Sequence, residues 1–491
     1  MKPSNLNIRF FVLIRNRTLT GLIFFAVTIF LFTGCSNEEV KNVVEKPEIS
    51  IEPIDENKLM DRVLRIDIQE MDVELEYDPT NDLISGNSII KFRMRSGQVK
   101  PLIHFDLADN GVINSIILNG EELNHNNSSD VKTVKFTETT QEGMEFLRDC
   151  SGIEINTLKI NYTFEHTDNY KSFFSNVNDI RGEGNEMVFP TINCPSDLSK
   201  HRIAFSVKSD RPYSFMGSGK VKDKSNKKIQ KWLLDSERDV ASYTIMWMLI
   251  PTEDVVSEEK VIDGVKIRVM AYKNGASIES AFKKLKSWIP ELRANIGEFP
   301  MKRGLNVFLT ERGGGMEYFG ATITSLYALK HEVFHMYYGC SVIAKTYRDS
   351  WWDESINMWY GYRDLNSVTP VDNNFSSNIV SGRTPVSVGF DRRAYNEGAK
   401  IIESIASEIG GKDSFVAFLK HVSANHTFAP FNTFELIKYV YDFSGIDFKE
   451  RIVKWLYNGT RTYFSPQGLS VNNYHKVDMT PPEEIIKKYK R

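Results

Sequence analysis

Cysteine is scarce, with four in 491 residues. A secreted disulfide scaffold needs a denser, even set, so this fold must rest on packed cores. With Cys35 set apart, Cys150, Cys194 and Cys340 are an odd number, and at least one thiol stays free or pairs between chains. Cys150–Cys194 stays open as a disulfide. Charge of one sign is also missing. Lys and Arg number 61 against 64 Asp and Glu, a formal net charge of −3, and no basic excess points to nucleic acid. Internal repeats and low-complexity tracts are absent, which argues against a solenoid. The longest apolar run, Leu19–Phe32, falls short of the about 20 residues a comfortable membrane span requires.

That short run is informative in another way. Lys2, Arg9, Arg15 and Arg17 precede it, Thr33-Gly34-Cys35 ends it, and Ser36-Asn37-Glu38-Glu39 follows. A positive front, a short apolar stretch and a small residue before a lone cysteine resemble a bacterial lipoprotein signal. The expectation is a signal over 1–35, lipidation at Cys35 and an acidic, Pro-punctuated tether over 36–60. The bulk of the chain would then lie outside the cytoplasm, anchored to a membrane at its periplasmic face or at the cell surface.

A hydrophobic content of 41% in a chain of this length supports two or three domains. From Val63 to Val255, short alternating runs such as Val73–Tyr77, Ser88–Phe92 and Ile203–Val207 are separated by turn signals such as Asp78–Asp82 and Asn119-Gly120. Period-two alternation at this spacing predicts an antiparallel β domain over 61–256. After Gly275 the pattern turns helical. Helices are predicted over 277–296, 326–346, 354–364, 394–409, 414–422, 433–443 and 448–456, and strands over 305–309 and 321–324. This second domain spans 257–465, and 466–491 is a charged tail.

Within it, residues 331–335 read His-Glu-Val-Phe-His. Histidines four apart stand one turn above each other on a helix, so both imidazoles reach one ion. Glu332 stands slightly aside, placed to hold a water without ligating. The pattern is that of a zinc hydrolase, which needs one more protein ligand and an open position. Glu354, nineteen positions after His335, fits that role if a reversal over 346–350 brings a second helix back to the first; Asp353 beside it is a second candidate. Upstream, Gly313-Gly314-Gly315 lets a backbone approach a ligand closely. The strand 321–324 after it is expected to pair with a peptide by β-addition. Glu317 would set an anion near the metal. Tyr395 starts a helix and offers a phenol for a developing oxyanion.

Together these features resemble the M1 family of zinc aminopeptidases. Gly314-Gly315-Met316-Glu317-Tyr318 is similar to the family's Gly-x-Met-Glu-Asn loop. The interval of eighteen residues from His335 to Glu354 reproduces its ligand spacing, and Tyr395 with Gly398 is similar to its catalytic tyrosine segment. The resemblance, over roughly 63–465, implies an α+β multidomain chain: an N-terminal antiparallel β domain, saddle- or sandwich-like, followed by a thermolysin-like mixed α/β catalytic domain. It implies one Zn2+ held by His331, His335 and Glu354, with Glu332 as general base and Tyr395 on the oxyanion. It implies that Glu317 binds the free N-terminus of a peptide substrate, whose backbone lies along Gly313, Gly314, Gly315 and Met316.

The sequence also departs from the family. Tyr318 and Asp353 stand where Asn is common, and Ser355 where Gly is common. The interval from Glu354 to Tyr395 is short, and Glu183 and Glu186 are the nearest candidates for a second amino-terminus ligand. The large C-terminal helical domain of full-length relatives is expected to be missing. These departures keep two alternatives open: a zinc endopeptidase or other hydrolase without the free-terminus requirement, and a non-catalytic surface binding lipoprotein of the same fold.

Overall fold

The structure is a computed structural model. It describes residues 66–457 apart from 95–101, 108–110, 125–130, 135–142, 149, 151, 166–179, 184–187, 227–228, 312, 363–367, 373, 378 and 381–390. Cys35, the tether and the tail lie outside the described residues, as does Glu186. No helix among those described is long and apolar enough to cross a membrane.

The N-terminal part is built on the hairpin of Ile66–Asp78 and Leu83–Met94 within a nine-stranded sheet. Strand Leu198–Val207 lies parallel to the first strand, and Asn156–Glu165 antiparallel to the second. Buried side chains fall at Ile66 and Ile68, then at Met71, Val73, Leu75 and Tyr77. The switch from even to odd positions coincides with a register break between Ile68 and Glu70. One extra residue there restores the apolar face to the core. The outward face carries ion pairs such as Arg202–Asp72 and Lys91–Glu70. A three-stranded sheet of Ile180–Glu183, Tyr213–Gly217 and Met246–Pro251 packs next to it, with the Phe205 and Trp247 rings 4.4 Å apart.

The C-terminal part begins at a five-stranded sheet. Its order is Val255–Ile262, Val265–Tyr272, Leu305–Thr310, Ala321–Ser325 and Gly315–Tyr318. The middle three strands are parallel, and the two outer ones are antiparallel to their neighbours. Helix Ile278–Asn295, capped by Ser277, connects two of the parallel strands and buries Phe282, Leu285, Ile289 and Leu292. This arrangement corrects one expectation. Strand 321–325 is flanked on both sides, so it has no edge to offer a peptide. Strand 315–318 holds the outer position instead, and among the described residues no strand pairs along its far side.

A second correction concerns the helix predicted over 326–346, which spans only Leu329–His335. Gly339, at φ +129°, lets the chain fold back, and Gly339 N–H then donates to Val342 O and Cys340 N–H to His335 O. An L side chain rarely adopts that torsion, so the glycine permits the fold-back that follows the helix. The return helix is Trp351–Tyr362 and starts three residues earlier than expected, placing Glu354 in its first turn. Further helices span Ala399–Glu408, Lys412–His426, Thr433–Ser444 and Lys449–Tyr457; the third begins with an Asn432/Glu435 capping box. Cys150, Cys194 and Cys340 are all buried free thiols, so the Cys150–Cys194 pairing is not formed.

Candidate active site and metal centre

The short helix 329–335 and the first turn of helix 351–362 bring three donor atoms together. His331 Nε2 is 3.0 Å from His335 Nε2 and 3.0 Å from Glu354 Oε2, and His335 Nε2 is 3.4 Å from that oxygen. A tetrahedral zinc with bonds of about 2.1 Å sets its donors about 3.4 Å apart, so the triangle fits one such ion. The second nitrogen of His335 is engaged as well. His335 Nδ1 lies 2.8 Å from Asp353 Oδ1 and 3.1 Å from Tyr338 O. These acceptors direct the opposite nitrogen, Nε2, toward His331 and the Glu354 carboxylate. Positive charge between ring and carboxylate, a proton or a metal ion, holds such a pair together. Asp353 therefore stands behind His335 and does not share the triangle.

The electrostatics agree. His335 is fully buried; burial alone pushes its pKa down, but Glu317, Asp353 and Glu354 around it hold it well above the usual imidazole range. Burial would raise the Glu354 carboxyl, and the His335 and His331 rings hold it far below its ordinary value instead. Burial pushes Asp353 up to about 7 and Glu332 well above the carboxylate range, the neighbouring acids adding to both. Four acids around two imidazoles make a buried site that calls for positive charge.

The remaining candidates gather at the same place. Oxygens of Glu317 and Glu332 and a nitrogen of His335 lie within 4.8 Å of one another. Gly315 makes room for this: a Cβ there would fall 2.4 Å from the Glu332 carboxyl carbon. Gly313, at φ +102°, opens the loop, Gly314 O accepts from Ser325 N–H, and Met316 packs on a cluster containing Met216, Met248 and Met270. Tyr395 O–H donates to Glu354 Oε1 at 3.0 Å. Its segment, Ala394–Gly398, is a π turn that precedes the helix Ala399–Glu408, where a continuous helix over 394–409 was expected.

Sequence reasoning missed three supporting groups. Asn357 donates to Tyr338 O at 2.9 Å and lies near Asp353 Oδ1 at 3.2 Å; its place one turn after Asp353 on the same helix was the available signal. Tyr243 O–H donates to Gly339 O at 3.2 Å from the β part, and no local pattern marks it. The third, Ser355, was noted only as a departure. Glu183 closes a strand paired with Met246. Tyr318 is fully buried in the methionine cluster.

By sequence, neither a family model nor a curated protein matches this chain. Solved structures do. Aminopeptidase A of Legionella pneumophila, in complex with aspartic acid, superposes with a TM-score of 0.67 at 12% identity, over 80% of this chain and 50% of that one. The M1 zinc metallopeptidase of Deinococcus radiodurans gives 0.58 at 18% identity, over 77% and 91%. A mutant of the latter bound to a Tyr-Ser-Ala substrate gives 0.59 at 17%, over 80% and 95%. The fold is that of the M1 zinc metallopeptidases. The chain spans half the length of the Legionella enzyme and nine-tenths of the Deinococcus one. The M1 fold here thus comprises the β part and the mixed α/β part expected from the sequence.

Proposed function

We propose that the chain is a zinc aminopeptidase that removes N-terminal residues from peptides. The observation that carries this reading is the triangle of His331, His335 and Glu354 donor atoms, with Glu332 and Glu317 both within reach of it. Zinc held there would polarise the scissile carbonyl and acidify the attacking water. With that positive charge beside it, Glu332 would be ionised, take the proton from the water and pass it to the leaving amine. Tyr395 presents its phenol O–H beside Glu354 and donates to the carbonyl oxygen as negative charge builds there. Glu317 pairs with the substrate's α-ammonium, which restricts cleavage to the first peptide bond. The backbone of the substrate extends along the outer strand 315–318, running antiparallel to it from Glu317 toward Gly313.

Glu332→Gln tests the chemistry: zinc should stay bound at one equivalent while hydrolysis of aminoacyl anilides falls at least about 10³-fold. Unchanged turnover would remove Glu332 from the mechanism. Cleavage of an N-acetylated peptide at the rate of its free counterpart would replace the aminopeptidase with an endopeptidase.

The sequence features at 1–60 support an extracytoplasmic, lipid-anchored location through Cys35. Mass spectrometry of the mature N-terminus tests this, a diacylglyceryl Cys35 being the expected first residue. A chain beginning elsewhere would sink it.

A further inference from the structure

Ser355 follows Glu354 on helix 351–362 and is fully buried. Its Oγ lies 2.5 Å from Trp351 O, the back-bond expected of a helical serine. It also lies 2.9 Å from Ala394 O, on a segment 39 residues further along the chain, so its one hydrogen is shared between the two carbonyls. Ala394 opens the π turn Ala394–Gly398, and the next residue is Tyr395. From the other end of that turn Gly398 faces the same hydroxyl: a Cβ there would fall 2.0 Å from Ser355 Oγ. The serine side chain thus fills the space that Gly398 leaves open.

A π turn holds one more residue than an α turn and is rarely favoured on its own, so it needs an external partner. Relaxation to α geometry would rotate the start of the turn, Tyr395 included, by about 100° relative to the helix that follows, one residue's worth. Tyr395 would then swing away from Glu354. We propose that Ser355 is a positioning residue that pins the π turn to the ligand-bearing helix and so holds the Tyr395 phenol at the reaction centre. Tyr395 is then held at two points, its backbone by Ser355 and its hydroxyl by Glu354. The serine, found where the M1 pattern commonly has glycine, adds a hydrogen bond across a contact that glycine would make by proximity alone. This inference rests on the proposed role of Tyr395.

The test combines kinetics and structure on S355A, with S355G as a second variant that removes the same hydroxyl without new bulk. The expected result is a kcat reduced about tenfold, KM within about twofold, and zinc content unchanged. In the Y395F background, S355A should add no further loss, because its effect passes through the phenol. A crystal structure of S355A should show the Tyr395 hydroxyl withdrawn from Glu354 Oε1. Full kcat, losses that multiply with Y395F, or lost zinc would each overturn the proposal. A wild-type protein inert on every peptide would defeat the proposed function alone. In that case the S355A structure still decides: a phenol in its original place overturns the positioning role.

Discussion

Asp353 places a carboxylate 2.8 Å behind His335, where the M1 pattern commonly has an amide. A carboxylate in that position fixes the ring tautomer and raises the basicity of the opposite nitrogen, effects worth about 10–100-fold in metal affinity. Asp353→Ala should weaken zinc binding by that factor in a chelator competition, with the fold intact by circular dichroism. Equal affinity would show that Tyr338 O and Asn357 orient the ring without it. His201 offers a residue-scale prediction away from the site. It is fully buried between Ser199 O and Ser242 Oγ, and burial lowers its pKa from 6.5 to about 4. Between those values the unfolded chain binds a proton that the folded chain does not, so folding stability is complete above pH 6.5 and declines as pH falls toward 4. The full shift corresponds to about 3 kcal/mol. His201→Gln should flatten that part of a stability-versus-pH curve measured by urea denaturation; an unaltered slope would show that His201 does not titrate this way.

Among elements, the helix 329–335 is the decisive one, and its end is as important as its start. Gly339 lies against the groups that support the ligands: a Cβ there would fall 2.8 Å from Asp353 Oδ1 and 2.9 Å from His335 Nδ1. Gly339→Ala should therefore cost about 1–3 kcal/mol of stability through its torsion and also weaken zinc binding. Thermal melts with and without zinc would read both; a variant with native zinc affinity would refute the link. This element also shows where the sequence ceased to be informative. The spacing of His331, Glu332, His335 and Glu354 was legible because helix periodicity is local and each residue type has a chemical reason to be there. The end at His335 was not, because Leu326–Ala344 is apolar enough to read as one buried helix and a single glycine's torsion decides otherwise. The outer position of strand 315–318 was also hidden. Strand pairing depends on partners distant in sequence, and the loop order 305–310, 315–318, 321–325 does not reveal which of the last two lies inside. The π turn at Tyr395 escaped detection for the same reason, since Ser355 and Gly398 lie far apart in the chain.

At the scale of the whole molecule, the β part and the mixed α/β part are joined by polar as well as apolar contacts. Gly219 N–H donates to Phe319 O and Phe319 N–H to Thr244 O, both at 2.8 Å, directly after the strand that carries Glu317. Arg238 stacks 3.2 Å from the centre of the Phe428 ring. Tyr347 O–H, on the reversal that precedes Glu354, donates to buried Asn193 Oδ1 of the β part, and Asn193 N–H donates to Asp106 Oδ2. The last series couples the approach to helix 351–362 to the N-terminal core. Tyr347→Phe should lower stability by about 1–2 kcal/mol in chemical denaturation, by loss of a buried hydrogen bond. A variant as stable as the wild type would show that the contact adds nothing net. The β/α division was legible from hydrophobic period alone. The contacts that join the halves were not, since Asn193, Tyr243 and Arg238 carry no periodic signature.

A chain laid along the outer strand Gly315–Tyr318, as proposed, would meet amide and carbonyl groups rather than side chains. Attachment there is insensitive to which amino acids the visitor carries but sensitive to its skeleton. Replacing single amides of a bound ligand by esters, or methylating their nitrogens, should loosen it stepwise, and a cyclic peptide with no loose end should be refused altogether.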